Sequence, residues 1–584
     1  MRPLKILPLA LAAAYALGCT GTVHDAAGGG AQPAGGADPS SPSGSDRPRP
    51  PGGSSGSDPA ADPPAPPSAQ VACGNARDIV GRRTLRRLTI PELENTIRTV
   101  FALDRAAWSG LTVPPDPGSA DGFNNNVDQL NVGEEYARGA GEGAREVAAL
   151  VSSAAKLAEL VPCHATGDRS CAQSFLDTVA RRLYRRPLSA EEQARYLGLF
   201  ESSGTAGPDF GNFVYWAVST MLQSPHVLYR SEVGVAEGDR FKLSAYEVAS
   251  GLAYTFTGGP PSDALLDLAA VGRLSTGDEV QAAARALMLD EAGAVRPAFR
   301  TTVQGFSDQW LGLVKLSNLK KDETAFPDFT TGIQEALAEE TKHFLDAVLF
   351  EGRGTVADLL TAPYTFTNAQ LAQFYGFGNA PGGDFVRVER PAGWGVGLLS
   401  QASMLAVEAH SLQTSPTKRG AFIRTKLMCG VIPPPPAVVG NLPEPTEAET
   451  TRQRYEELHS ADASCKACHQ LMDPIGFAFE HLDATGRYRE REGRFDIDDS
   501  GVVTGTSAGD ILFRGPTELA TALARLPEVS DCLAAHIAAY AFGISRESAT
   551  CLINNAADEL RAGGTLMDFF LALARSDHFR YRQP

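Results

Sequence analysis

The chain has 584 residues, 43% of them hydrophobic and 21% charged, with a net charge of −17 at pH 7. That acidic balance argues against nucleic acid as a partner. The length exceeds what one hydrophobic core supports, so several domains are expected, and nothing after the N-terminus is long and apolar enough for a transmembrane helix.

Met1 to Gly18 opens with Arg2 and Lys5 and continues as an apolar run from Ile6 to Leu17. The run is too short to span a bilayer and has the shape of a cleavable signal peptide over 1–18. It ends Ala16-Leu17-Gly18-Cys19, which is similar to a bacterial lipobox with its first two residues exchanged, so Cys19 is the expected lipidation site. Residues 19–72 are rich in Gly, Pro, Ser, Ala and Asp and offer little to bury. They predict a disordered tether with an r.m.s. reach of ~40 Å.

Helical signals dominate the rest of the chain. An N-terminal helical domain is expected over 73–165. Thr89-Ile90-Pro91-Glu92 has the form of a capping box with Pro in the first turn, and Leu93, Ile97, Val100 and Phe101 recur at helical spacing. A small helical domain over 166–235 contains Ser189-Ala190-Glu191-Glu192, and a central one over 236–380 contains Ser244-Ala245-Tyr246-Glu247, two further capping boxes. Ala282 to Leu289 and Ile333 to Leu349 keep the helical period. The clusters Arg82-Arg83 with Arg86-Arg87, and Arg181-Arg182 with Arg185-Arg186, predict solvated or ion-paired helix stripes. Glu340 and His343 have the spacing of a di-iron ligand pair, but a second such motif is lacking, so a surface helix is expected there.

A polyproline II segment, Pro433 to Pro436, leads into the next motif. The domain over 381–512 carries Cys465-Lys466-Ala467-Cys468-His469, the C-x-x-C-H pattern of covalent haem c attachment. Two thiols bind the macrocycle, and the adjacent His becomes an axial ligand. Arg494 to Thr506, around Asp499-Ser500-Gly501, reads as a hairpin. A last helical domain is expected over 513–584. The fold class is thus all-α, multi-domain and helical, with a cytochrome c-like haem module and a small β-hairpin excursion.

There are nine cysteines. Setting aside Cys19 for lipid and Cys465 and Cys468 for haem leaves an even number, suited to an oxidising compartment. Proximity suggests Cys163–Cys171 and Cys532–Cys551, which leaves Cys73–Cys429.

Several stretches carry a resemblance. They are RRLTIPELENTIRTVF ending at Phe101, Gly122 to Leu130, Tyr184 to Ser189, PYTFTNAQLAQFYGF from Pro363 to Phe377, and TSPTKRG from Thr414 to Gly420. CKACHQLMDPIGFAFEHLDATGRYR from Cys465 to Arg489 and a block from Ala538 to Ile544 complete the set. In this order they resemble a large bacterial family of exported, multi-domain cytochrome c-like (lipo)proteins built from five adjoining domains of unknown function, the DUF series in the fifteen-eighties and fifteen-nineties. The resemblance implies secretion, a mostly helical fold and a haem module. It implies no reaction. Only Cys465, Cys468 and His469 carry over with a role, whereas Asp473, Pro474, Gly476 and Arg487 match without one.

In the haem reading, His469 Nε2 binds iron and Nδ1–H needs an acceptor, for which a backbone carbonyl is the usual choice. The sixth ligand is not evident; Met404, His410, Met428 and His481 are the candidates. Arg419, Arg424 and Arg487 are candidates to pair with a propionate. Two other readings of the motif stand beside haem. His459, Cys465, Cys468 and His481 have plausible zinc spacing, and a redox-active C-x-x-C disulfide is the third. Export, the directly following His and the resemblance favour haem. The function expected is an exported, lipid-anchored c-type cytochrome-like protein using its haem for electron transfer or haem-based oxidoreduction. Its expected partners are the envelope membrane and a redox protein. The alternative is a cell-surface binding or assembly module in which the C-x-x-C-H site is structural. Substrate is not legible.

Overall fold

Local sequence starts many of the helices. Thr89 accepts from Glu92 N while the Glu92 carboxylate accepts the Thr89 N–H at 2.8 Å, opening the helix Ile90–Phe101. Ser189 with Glu192 and Ser244 with Glu247 do the same for Ala190–Glu201 and Ala245–Thr257. Each reciprocal cap satisfies backbone donors that a helix start would otherwise leave unpaired. The structure, a computed structural model, describes residues 80–378, 382–433, 448–460 and 463–584, without the side chains of 459–460, 463–464 and 554–555. The predicted signal peptide, Cys19, the tether, Cys73, most of the polyproline segment and the His459 side chain lie outside the described residues.

The chain is mostly helical and multi-domain, with small sheets. Two apolar cores organise it. The first joins Leu93, Ile97 and Phe101 to Val147, Phe175, Phe213 and Met221, all buried, and so spans both N-terminal segments. The second joins Phe123 of the N-terminal segment to residues from Leu243 to Phe579. Its central helix, Pro527–Phe542, is buried along most of its length. Burial of each large apolar side chain stabilises these cores by ~1.5–3 kcal/mol. Among the described residues, no helix is long and apolar enough to cross a membrane.

Strands are more widespread than one excursion. Thr84–Arg87 pairs with Tyr229–Glu232, and Tyr364–Thr367 with Val386–Glu389. The C-terminal Tyr581–Arg582 returns to Arg240–Lys242, which also pairs with Val235–Glu237. The hairpin expected around Asp499-Ser500-Gly501 is displaced. Ser500–Thr506 pairs with Gly509–Arg514, so Gly501 lies inside a strand. The turn falls at Thr506–Gly509, where the Gly509 φ of +83° suits glycine.

The arginine clusters are not solvated helix stripes. Arg82 to Arg87 run into a strand, and Arg86 and Arg87 are buried. Arg87 makes a 2.6 Å ion pair with the buried carboxylate of Asp116. Arg185, also buried, donates to the carbonyls of His226 and Tyr229 at 2.6 and 2.7 Å. The exposed members pair as expected, Arg181 with Asp267 and Arg182 with Asp263.

Candidate functional site

Residues Cys465 and Cys468 lie on the short helix Ala463–His469, three positions apart and therefore on one face. Both are half-buried free thiols. Elsewhere in the described chain, Cys163 is bonded to Cys171 and Cys429 to Cys532, and Cys551 is disulfide-bonded as well. The first pairing agrees with expectation. The other two expected pairs are corrected, since Cys429 takes Cys532 and Cys551 is left to another partner. Nearness in sequence misled there because Cys532 and Cys551 stand on successive helices, Pro527–Phe542 and Arg546–Leu552.

His469 ends the motif helix. A turn through Met472 N to His469 O leads into Asp473–Gly476, a single helical turn with Pro474 near its start. This turn brings the Asp473 carboxylate under the imidazole. His469 Nδ1 lies 3.1 and 3.2 Å from its two oxygens. Thr417 Oγ1 donates to the same carboxylate at 2.6 Å and is 3.4 Å from Nδ1. The expected backbone acceptor is therefore replaced by a carboxylate that is only 5% exposed.

Glycines fix this arrangement. Thr417 belongs to the helix Pro416–Phe422, whose N-terminus Ser415 caps. A Cβ on Gly420 of that helix would lie 1.8 Å from Met472 O, and one on Gly476 would lie 1.9 Å from Pro416 O. The two helical turns touch backbone to backbone, each through the other's glycine. On another side, a Cβ on Gly501 would lie 2.0 Å from Pro474 O. Only glycine permits approaches this close.

Buried arginines tie the surrounding segments. Arg419 donates to the carbonyls of Phe479, Leu482 and Asp483 at 2.9, 2.8 and 2.7 Å. Arg424 donates to Thr504 O at 2.8 Å and Leu471 O at 3.3 Å. Most of their N–H groups are engaged with backbone, while Arg419 Nε has no partner among the described residues. Arg487 lies over the Phe374 ring, 3.5 Å from Asp328.

The axial candidates have different surroundings. Met404 is buried in the second core, and Met428 packs against that core. His410 is half-buried, with its pKa lowered by burial and by Lys418 and Lys321. His481 donates through Nδ1 to Arg489 O at 2.9 Å and stacks on Tyr488. These contacts of His481 are with residues other than the two thiols of the zinc reading.

Other clusters resolve into structure. Glu340 is not on a surface helix; it is fully buried and accepts from Thr365 and Tyr375 at 2.5 Å each. Burial raises its pKa. His343 stacks on Phe366 and Phe385. Ligand atoms of Cys429, Cys532 and His536 lie within 4.8 Å of one another, but the disulfide removes the thiolates a metal would need. A large open cavity, ~750 Å³, is lined by Tyr184, Glu192, Tyr196, Gln223 and His226 and holds none of the motif residues. Cavity size alone specifies no chemistry.

Sequence reasoning missed Asp473 as the partner of His469. The signal was present: His469 and Asp473 are four residues apart, the spacing at which side chains on successive turns meet. No curated protein and no solved structure matches the chain. Four families do match, all described as proteins of unknown function: PSD3 (DUF1587) over residues 86–152, PSD5 (DUF1595) over 171–232, PSD4 (DUF1592) over 243–377 and PSCyt3 (DUF1588) over 396–492. With these domains adjoining in this order, the chain belongs to the family of proteins built from that series of domains of unknown function.

Proposed function

We propose that this protein is an exported, lipid-anchored c-type cytochrome whose haem is attached through Cys465 and Cys468. One observation carries the reading. Two free thiols stand one helical turn apart, next to a histidine, in a chain whose other described cysteines are disulfide-bonded. The donor set fits haem c: each thiol would add its S–H across a vinyl group, a step that needs no oxidant. His469 presents Nδ1 to Asp473, so the neutral imidazole carries its lone pair on Nε2, the nitrogen suited to iron. A bound haem supplies one-electron exchange when the protein fills both axial positions, and a small-ligand site when one is open.

The protein's own residues do the positioning. The motif helix holds both thiols on one face, and the turn through Met472 sets the imidazole against Asp473. Cys19 would hold the chain at the envelope membrane through its lipid, and residues 20–72 would let the folded part reach a redox partner protein.

The test is a pyridine haemochrome spectrum of protein produced with the cytochrome c maturation machinery. A thioether-type spectrum that disappears in Cys465→Ser/Cys468→Ser supports the reading; a colourless wild type overturns it. Carbon monoxide or cyanide then separates the two forms of the proposal. An unreactive low-spin haem favours electron transfer, and a reactive one favours haem-based oxidoreduction. A second reading, a cell-surface binding module, draws on the polar and aromatic cavity around Tyr184 and His226; a colourless but folded and zinc-loaded protein would favour it.

A further inference from the structure

We propose that Asp473, oriented by Thr417, is the positioning residue that sets both the angle and the electron-donating strength of His469. The proposal rests on the haem reading and adds to it a role for two residues the motif leaves unassigned. His469 Nδ1 faces both carboxylate oxygens, at 3.1 and 3.2 Å, so the imidazole donates to a charge-bearing acceptor rather than a carbonyl. The Thr417 hydroxyl donates to Oδ1 at 2.6 Å, which holds the carboxylate in one rotamer. Asp473 is 5% exposed and the His469 side chain 23%, so the carboxylate side of this interaction is shielded from water. The backbone contacts of Gly420 with Met472 and of Gly476 with Pro416 prevent the Thr417 and Asp473 turns from closing further.

A carboxylate hydrogen-bonded to the far nitrogen of a metal-binding imidazole raises that ligand's basicity. A more basic axial nitrogen stabilises the more positive, ferric state, so the reduction potential falls; hydrogen bonding around the ligand is among the levers that tune haem iron. The site is thus built to hold its iron at a lower potential than an imidazole on a backbone carbonyl would.

The experiment is spectroelectrochemical titration of the haem-loaded full chain, wild type against Asp473→Asn and Thr417→Val, with haem content and thermal midpoint measured in parallel. Asparagine keeps the shape and an accepting oxygen but loses the charge. The ferrous form of Asp473→Asn should be favoured about tenfold over wild type, an upward shift of ~59 mV for a one-electron couple. Thr417→Val, which leaves the carboxylate in place but less constrained, should move in the same direction by less. A merely structural role would change the thermal midpoint without this ordered shift. Haem-loaded Asp473→Asn with the wild-type potential overturns the inference while leaving the haem reading intact. If Asp473→Asn does not retain haem, Thr417→Val decides in the same way. A wild type without haem overturns the haem reading and this inference with it.

Discussion

Substituting Gly476 by Ala sets two effects of opposite sign against each other. Gly476 has an ordinary helical φ of −67°, so alanine there gains the intrinsic helix preference, about 1 kcal/mol. Its Cβ would lie 1.9 Å from Pro416 O and 2.5 Å from Pro416 C and Cα. These are backbone atoms and cannot swing aside. The two turns must part by about 1.5 Å to restore an ordinary contact of roughly 3.5 Å. That movement takes the 2.6 Å Thr417–Asp473 bond out of hydrogen-bonding range. Overpacking costs ~1–3 kcal/mol and a bond to a charged group contributes ~1.5–3 kcal/mol, so together they outweigh the helical gain. The net expectation is a loss of roughly 1.5–5 kcal/mol. The assay is guanidinium unfolding of the haem-free chain with its disulfides intact, together with alkylation rates of Cys465 and Cys468, which should rise. Gly420→Ala strikes the same contact from the other side, so the double variant should lose less than the sum of the two. A Gly476→Ala protein more stable than wild type by about 1 kcal/mol, as helix preference alone requires, would refute the argument.

The Cys429–Cys532 disulfide closes a loop with a sequence separation of 103 residues. Cys429→Ser/Cys532→Ser should lower stability by up to ~4.7 kcal/mol on chain-entropy grounds, read as a lower denaturation midpoint; an unchanged midpoint would sink that estimate. The Glu340 carboxyl is held above its usual range by burial. The stability linked to this shift is complete below the unfolded value of ~4.3 and is lost as pH rises through the raised folded value. Glu340→Gln, uncharged throughout, should show a smaller fall in denaturation midpoint as pH rises from about 4.3; parallel pH profiles for the two proteins would contradict this.

How much could be read from the sequence depends on the range of the forces involved. The capping boxes at Thr89, Ser189 and Ser244 were legible because each is complete within four residues. Cys465, Cys468 and His469 were legible as a set for the same reason. Arg86, Arg87 and Arg185 were misread because a charged run says nothing about which carbonyls or carboxylates will surround it. Their partners, the Ala541 carbonyl, Asp116 and the His226 to Tyr229 segment, come from elsewhere in the chain. Cys429–Cys532 was invisible for that reason too. Asp473 is the instructive intermediate: its spacing from His469 was local, but the Thr417 that orients it lies 56 residues away.

The glycine contact between the Pro416 and Asp473 turns also determines how this protein can be taken apart. A fragment beginning after the polyproline run would keep Cys465, Cys468 and His469 yet lose Thr417, Gly420 and the arginine ties from Arg419 and Arg424. It would contain the attachment sequence without the platform on which that sequence is mounted. The smallest transplantable piece therefore reaches back at least to Thr414, which bonds Glu480, and forward to Thr504, which accepts from Arg424. Grafting the five-residue motif alone into another helical scaffold would transfer an attachment point for haem but not the geometry that governs its histidine.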